Sequence, residues 1–326
     1  MNKSRHYQEP WYFKNPHFHN VFSNLYRKLQ QKNVAKDYQN QAKPMVIDAD
    51  AGVQLSAKLN VASTTSSTLA ILLHGWEGSC DSSYVVSCGH LLNQNGVNTL
   101  RLNFRDHGDS HHLNSAPFNS TLIDEVVGAL RQIQQHHPHQ KFVLIGFSLG
   151  GNFALRVAAR QHCLSVPLEK IFAVCPAIDP ANVMMALDSG NPIYERYFLK
   201  KWKKSLSIKQ SLFPHLELNQ AQSFRRLTEL NHYLIPKHTP FASVEDYFEA
   251  YRIGDNAAKH IQGATHIISS DNDPITQLQD LKKVRWPEHV RLVVTRGGAH
   301  CAFLDKLSFT SWVDRYITQL ILETND

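Results

Sequence analysis

The stretch KFVLIGFSLGGNFALRVAARQ, residues 141–161, constrains this chain more than any other. Phe142 to Ile145 reads as a short buried strand, Gly146-Phe147-Ser148-Leu149-Gly150 fits the pattern G-x-S-x-G, and the residues beyond have helix-like apolar spacing. A serine at such a junction sits on a strained turn with its hydroxyl projecting from a sheet, and the flanking residues are glycine because a Cβ would clash there. Ser148 is therefore a candidate nucleophile. The requirement that a strand end in a sharp turn directly into a helix implies a sheet with crossover helices.

The rest of the chain agrees with that requirement. Short apolar runs at Leu69 to Leu73, Val97 to Phe104, Ile171 to Val174, His266 to Ser269 and Val290 to Val294 alternate with longer segments of helical periodicity. Helices are expected from near Ser82 to Asn95, over Asn119 to His136, after Phe147, and within Phe303 to Leu322. The fold class is α/β, with a mostly parallel central sheet flanked by helices. Residues 1–60 read as an N-terminal arm and first antiparallel strands, near Met45 to Ile47 and Val53 to Leu59. Residues 61–179 and 258–326 form the core. Between them, 180–257 has no clear strand, several helix-like stretches and many aromatics, which predicts a helical cap inserted above the sheet.

A serine hydroxyl needs a general base, and the base needs an orienting carboxylate. His300 follows the last strand in the glycine-bearing loop TRGGAH, which sets it apart from His266 and His289. The acid comes from Ser270-Asp271-Asn272-Asp273-Pro274, after the preceding strand. Asp273 is preferred because Pro274 biases it to an extended backbone; Asp271 is the alternative and Asp179 a more distant one. Two amides are candidates to bind an oxyanion: that of Leu149, at a helix start where donors are unpaired, and that of Trp76, in the run LLHGWEGS leaving an earlier strand.

Taken together, HGWEG, NFRDHGDS, GFSLGGN, DNDPI and GGAH resemble the YheT-like branch of the α/β-hydrolases, and NPHFHNVFSNLYRK is similar to that family's N-terminal segment. The resemblance implies an α/β-hydrolase fold, with the nucleophile at Ser148, the base at His300 and the acid at Asp273. Asn272 stands where many relatives have a first Asp, and NFRDHGDS departs from the usual ending of its strand. The family implies a short-chain carboxylesterase or acylglycerol lipase, without metal or organic cofactor. Ester cleavage through an acyl-enzyme is the resulting expectation. Acyl transfer or thioester cleavage by the same residues, and a catalytically silent fold that binds an apolar ligand, stay open.

Composition narrows the partners. With 42% hydrophobic and 19% charged residues the chain supplies a large core and is neither disordered nor fibrous. A net charge of +6 and pI near 9.0 come from basic residues spread along the chain without a nucleic-acid reading motif, so nucleic acid is not an expected partner; the small ester or lipid-like partner is what the family resemblance implies. Five cysteines without C-x-x-C spacing indicate neither a disulfide framework nor zinc and fit a reducing cytoplasm. No apolar run is long enough to span a bilayer, and the N-terminus lacks a signal-type core. Peripheral membrane contact stays open; the basic cap segment LKKWKKSLSIKQ reads first as a solvated face. The groups Asp106, His107, Asp109, His111, His112 and His136, His137, His139 read as loop residues rather than metal ligands, with Arg105 and Asp106 ordering the loop beside the site.

Overall fold

In the computed structural model, which describes residues 6–64, 67–138 and 140–323, helix α1 (Pro16–Val34) and the short α2 (Lys36–Asn40) precede an antiparallel pair, β1 (Lys43–Asp48) and β2 (Gln54–Asn60). Strand β3 (Thr68–Leu73), α3 (Ser83–Gln94), β4 (Asn98–Leu102), α4 (Ile123–His136), β5 (Lys141–Phe147), α5 (Leu149–Ala158) and β6 (Lys170–Val174) then alternate. Five helices intervene: α6 (Pro180–Ser189), α7 (Pro192–Leu212), α8 (Leu227–His238), α9 (Val244–Tyr251) and α10 (Asp255–Ala258). Strand β7 (Ala264–Ser270), α11 (Leu278–Lys283), β8 (Val290–Thr295) and α12 (Trp312–Leu322) complete the chain.

The strands form one sheet in the order β1-β2-β4-β3-β5-β6-β7-β8, antiparallel at β1-β2 and β2-β4 and parallel from β4 onward. Both faces of the parallel part are covered, which is why its strands read as continuous apolar runs. Leu69, Ile71 and Leu73 of β3 pack with Val126, Leu130 and Phe153 on one side, while Ala70 and Leu72 pack with Val85, Cys88 and Trp312 on the other. Strand order reverses between β4 and β5, around β3, so the crevice at the carboxyl ends of these strands is the natural place for a site.

Helix starts follow local chemistry. Asp179 accepts from the Asn182 amide and caps α6 ahead of Pro180; Asn191 caps α7 ahead of Pro192; Ser311 and Asp314 form the reciprocal cap of α12. Helix α4 starts later than its apolar spacing indicates, at Ile123, because Asn119 folds back to accept from the Thr121 amide at 3.0 Å.

Two further differences from the sequence reading have physical causes. Within the N-terminal arm, to which the sequence reading assigns no helix, α1 runs for 19 residues, capped by Asn15 with Pro16 in the first turn. The basic stretch of α7 is not wholly solvated either. Lys209 is 1% exposed and its Nζ lies 2.7 Å from Asp106 Oδ1 while also donating to the carbonyls of His111 and Asn114. That buried ion pair ties α7 to the loop after β4. His136 and His137 close α4, and His139 lies outside the described residues.

Candidate active site

Ser148 joins β5 to α5 with φ 54° and ψ −116°, a conformation reached by sharp reversal of the chain. The reversal requires contact distances that only glycine permits. A Cβ on Gly146 would stand 2.0 Å from the Gly150 carbonyl oxygen, and one on Gly150 would stand 2.5 Å from the carbonyl oxygens of Leu73 and His74. The Ser148 amide donates to Val174 O at 2.8 Å, which pins the turn to the end of β6.

Ser148 Oγ lies 2.9 Å from His300 Nε2, placed to donate its proton, and His300 Nδ1 donates to Asp273 Oδ2 at 2.8 Å. Asp273 is fully buried, yet its charge is well solvated by protein: Oδ1 accepts from the amides of Ile275 (2.8 Å) and Thr276 (2.9 Å), and Oδ2 from the Thr276 hydroxyl at 2.7 Å. Burial raises its pKa, but the His300 charge and these hydrogen bonds outweigh that and hold it below the ordinary carboxylate value. For His300, burial pulls the pKa down, while the Asp273 carboxylate, the neighbouring Cys301 and the bond to Asp273 raise it to about 9.

The other candidate acids are occupied elsewhere. Asp271 Oδ1 accepts from the Gly297 amide at 2.7 Å and staples the β8 loop, and Asp179 is the cap of α6. Of the other histidines weighed, His289 bonds the Ile261 carbonyl at 2.8 Å and His266 stacks on Phe172.

The HGWEG run leaves β3 beside Ser148: a Cβ on Gly75 would come within 3.2 Å of Ser148 Cβ. His74 holds this run in place, donating from Nδ1 to Gly75 O (2.7 Å) and accepting at Nε2 from the Phe104 amide (3.2 Å). Complete burial drives its pKa well down, in keeping with a neutral ring in this structural role. The neighbouring loop is ordered by Arg105, which pairs with Glu125, and by Asp106, which accepts from the Phe118 amide at 2.8 Å. His107 and His111 are likewise engaged there, with the Glu77 amide and Ser205.

Trp76, Ser148 and Leu149 line one apolar cavity of about 100 Å³. Its far walls come from the helices between β6 and β7, including Met184, Phe198, Trp202, Leu234 and Phe248. Trp76 stacks on Phe198 with centroids 5.1 Å apart and meets Trp202 edge-on at 5.2 Å. Tyr194 points elsewhere, bonding Asn20 and His17 of α1.

Sequence reasoning missed the contribution of the arm. The His300 amide donates to Asn20 Oδ1 (2.9 Å), and the Gly298 amide to Glu9 Oε1 (3.0 Å). The Leu304 amide donates to His19 Nε2 at 3.2 Å, and Arg27 donates to the carbonyls of Cys301 and Ala302. Residues 299, 301 and 303 all have positive φ, so this loop does not satisfy its backbone by regular pairing; side chains of the arm, together with Asp271 and Asn272, do it instead. The available signal was the spacing of polar residues at 19, 23, 27 and 31.

A strand-turn-helix serine, with an aspartate and a histidine delivered from β7 and β8, defines a class of protein. Residues 70–307 match the model of the α/β-hydrolase fold family, and the chain belongs to that family. Within it, the chain is similar to the putative esterase YheT of Escherichia coli (strain K12), 24% identical over 300 residues, or 90% of this chain and 85% of that protein. A probable alcohol acetyltransferase of Cyberlindnera fabianii is 36% identical over 85 residues, 26% of this chain and 22% of that protein. Among solved structures, the Pyrococcus furiosus esterase Pf2001 shares the fold with a TM-score of 0.57 at 16% identity, over 88% of this chain and 92% of that one.

Proposed function

We propose that the protein hydrolyses carboxylic esters through an acyl-enzyme, with Ser148 as nucleophile, His300 as general base and acid, and Asp273 as the carboxylate that orients His300. The observation that carries this reading is the unbroken hydrogen-bond chain from Asp273 Oδ2 through both nitrogens of His300 to Ser148 Oγ. Similarity to the putative esterase YheT supports the reaction type.

In the first half-reaction Ser148 Oγ attacks the ester carbonyl carbon as its proton passes to His300 Nε2. The negative oxygen of the tetrahedral intermediate is met by the amides of Leu149, at the N-terminus of α5, and of Trp76. Collapse breaks the bond to the alcohol, which leaves with the proton from His300. Water then attacks the acyl-serine, giving its proton to His300, and the acid departs as that proton returns to Ser148. Asp273 holds Nδ1 protonated, so that Nε2 faces the serine as an acceptor.

The narrow apolar cavity supports an ester with an aliphatic acyl chain, either a short-chain ester or an acylglycerol. The chemistry requires no metal. Cys175, Cys301 and His300 approach within 4.8 Å, but both imidazole nitrogens are engaged by Ser148 and Asp273. The five unpaired cysteines support a reducing compartment such as the cytoplasm. No described helix is long and apolar enough to cross a membrane.

A fluorophosphonate probe tests the reading directly. Wild-type protein is expected to label and to hydrolyse an activated ester, and Ser148→Ala to do neither, with turnover down by roughly five to six orders of magnitude. Labelling of both proteins would overturn the choice of serine; labelling of neither, with both folded, would leave a silent ligand-binding fold. A series of p-nitrophenyl esters of rising acyl length, set beside monoacylglycerols, separates the two substrate classes.

The same acyl-serine can be resolved by an alcohol instead of water, and the local similarity to a probable alcohol acetyltransferase favours keeping this second reading. Ester products formed on adding ethanol, beyond the amount set by its share of the solvent, would support transfer.

A further inference from the structure

Helix α1 turns its polar stripe inward and its apolar stripe outward. His19, Ser23, Arg27 and Gln31, spaced by four residues, are 8% exposed or less, whereas Phe18 (51%), Val21 (45%), Leu25 (58%) and Leu29 (61%) lie on the opposite face. The inward stripe is fixed by specific bonds: His19 accepts from the Leu304 amide, Arg27 donates to the carbonyls of Cys301 and Ala302, and Gln31 donates to Asp81 O. The helix therefore cannot roll to cover Leu25 and Leu29 without stripping those partners away. Single exposed apolar residues need no explanation, but a stripe along three turns does.

The chemistry around the stripe selects what covers it. Helix α1 carries no Asp or Glu, while Lys28 and Lys32 are exposed along its edge, Lys14 precedes it and Lys36 follows it. Long lysine stems lie along apolar surface and lift their ammonium groups to phosphate level. At the N-terminal end the stripe continues into Trp11, 79% exposed, and Tyr12, residue types that settle at a membrane-water boundary. Helix α7 extends the surface: its Tyr194 hydroxyl is bonded to Asn20 and His17 of α1, and its Ile193 and Tyr197 are exposed beside it.

We propose that the outer face of α1, with Trp11 and Tyr12, is an interfacial docking surface for an anionic phospholipid bilayer. The helix lies in the plane of the interface, with Phe18, Val21, Leu25 and Leu29 among the upper acyl carbons and Lys28 and Lys32 at the headgroups. A protein partner would also need an apolar patch, but four exposed lysines between residues 14 and 36, set against the single exposed carboxylate of Asp37, match a negatively charged sheet of headgroups better.

Flotation of the full chain with vesicles tests this without reference to turnover. Wild-type protein is expected to float with vesicles of mixed phosphatidylcholine and phosphatidylglycerol, more weakly with phosphatidylcholine alone, and less as salt rises. Leu25→Ser with Leu29→Ser should weaken binding by about tenfold or more, with the unfolding midpoint unchanged because the inward bonds remain. Lys28→Glu with Lys32→Glu should reduce binding only to the anionic vesicles. The proposal is overturned if wild type stays unbound with phosphatidylglycerol vesicles, or if the double leucine variant floats as well as wild type. It is overturned equally if wild type proves to be a dimer that the leucine variant converts to monomer, since a second copy would then be what covers the face.

Discussion

The backbone amide of His300 donates to Asn20 Oδ1 at 2.9 Å, so a helix of the N-terminal arm holds the loop that carries the proposed base. Asn20→Ala removes the acceptor and leaves a part-buried amide unpaired in a loop that already has three non-glycine residues at positive φ. Because small displacements of a catalytic group are costly, kcat is expected to fall by about 10- to 100-fold with KM little changed. Asn20→Asp keeps an acceptor at this position and should recover most of the loss. If Asn20→Ala instead raises KM alone, the contact does not position His300.

The two aspartates of the β7 loop are separated by the structure, and kinetics should separate them too. Asp273→Asn removes the charge that holds Nδ1 protonated and is expected to lower kcat by roughly four orders of magnitude. Asp271→Asn keeps an oxygen to accept from the Gly297 amide and should stay within about threefold of wild type. The pH dependence carries a sign. His300 must be neutral to accept the Ser148 proton, so kcat/KM for a neutral ester should climb through a limb near the His300 value of about 9. The Asp273 carboxylate favours the imidazolium; removing it must move that limb to lower pH, measurable from the residual rate or from labelling by the fluorophosphonate. A limb that stays in place in Asp273→Asn would mean that another group titrates.

Much of this arrangement is legible in the sequence because the residues concerned occupy positions dictated by the fold. Ser148, Asp273 and His300 each follow a short apolar run, and a parallel sheet delivers such positions to one edge. Asp273 and Asp271 are harder to tell apart, since both precede or follow turn residues; only the backbone shows that Asp271 points to Gly297. The arm was opaque for a different reason. Core-facing helices are recognised by apolar residues turned inward, and α1 buries Arg27 and Gln31 while exposing Leu25 and Leu29, so its period is present but its orientation is reversed. Lys209 misleads similarly: a lysine in a run of lysines reads as solvent-facing, and its partner Asp106 lies 103 residues away.

The glycines around Ser148 should be intolerant for steric reasons alone. A methyl at Gly150 meets two carbonyl oxygens of the chain leaving β3, both backbone atoms that cannot swing aside. Gly150→Ala is expected to cost about 3 kcal/mol or more, or to prevent soluble expression. Gly52, at φ 76° in the β1-β2 turn with open space around its Cα, is the control: alanine there pays only the left-handed backbone cost of about 1–2 kcal/mol. Equal unfolding midpoints for the two variants would refute the close packing described at the Ser148 turn.

The buried pair Lys209–Asp106 joins the helical insertion to the sheet, so its loss should be felt both in stability and in the cavity. Lys209→Met leaves Asp106 buried without its cation, a situation that costs about 3–5 kcal/mol, and denaturant unfolding should show that loss. Adding Asp106→Asn removes the stranded carboxyl while an amide oxygen can still accept from the Phe118 amide, so the double variant is expected to regain most of the stability. Helix α7 also carries Trp202 and Leu206 into the cavity wall, so Lys209→Met should raise KM for longer acyl esters more than for acetate esters. If the single and double variants unfold alike, the cost lies in the lost lysine contacts with the His111 and Asn114 carbonyls and not in the unpaired carboxylate.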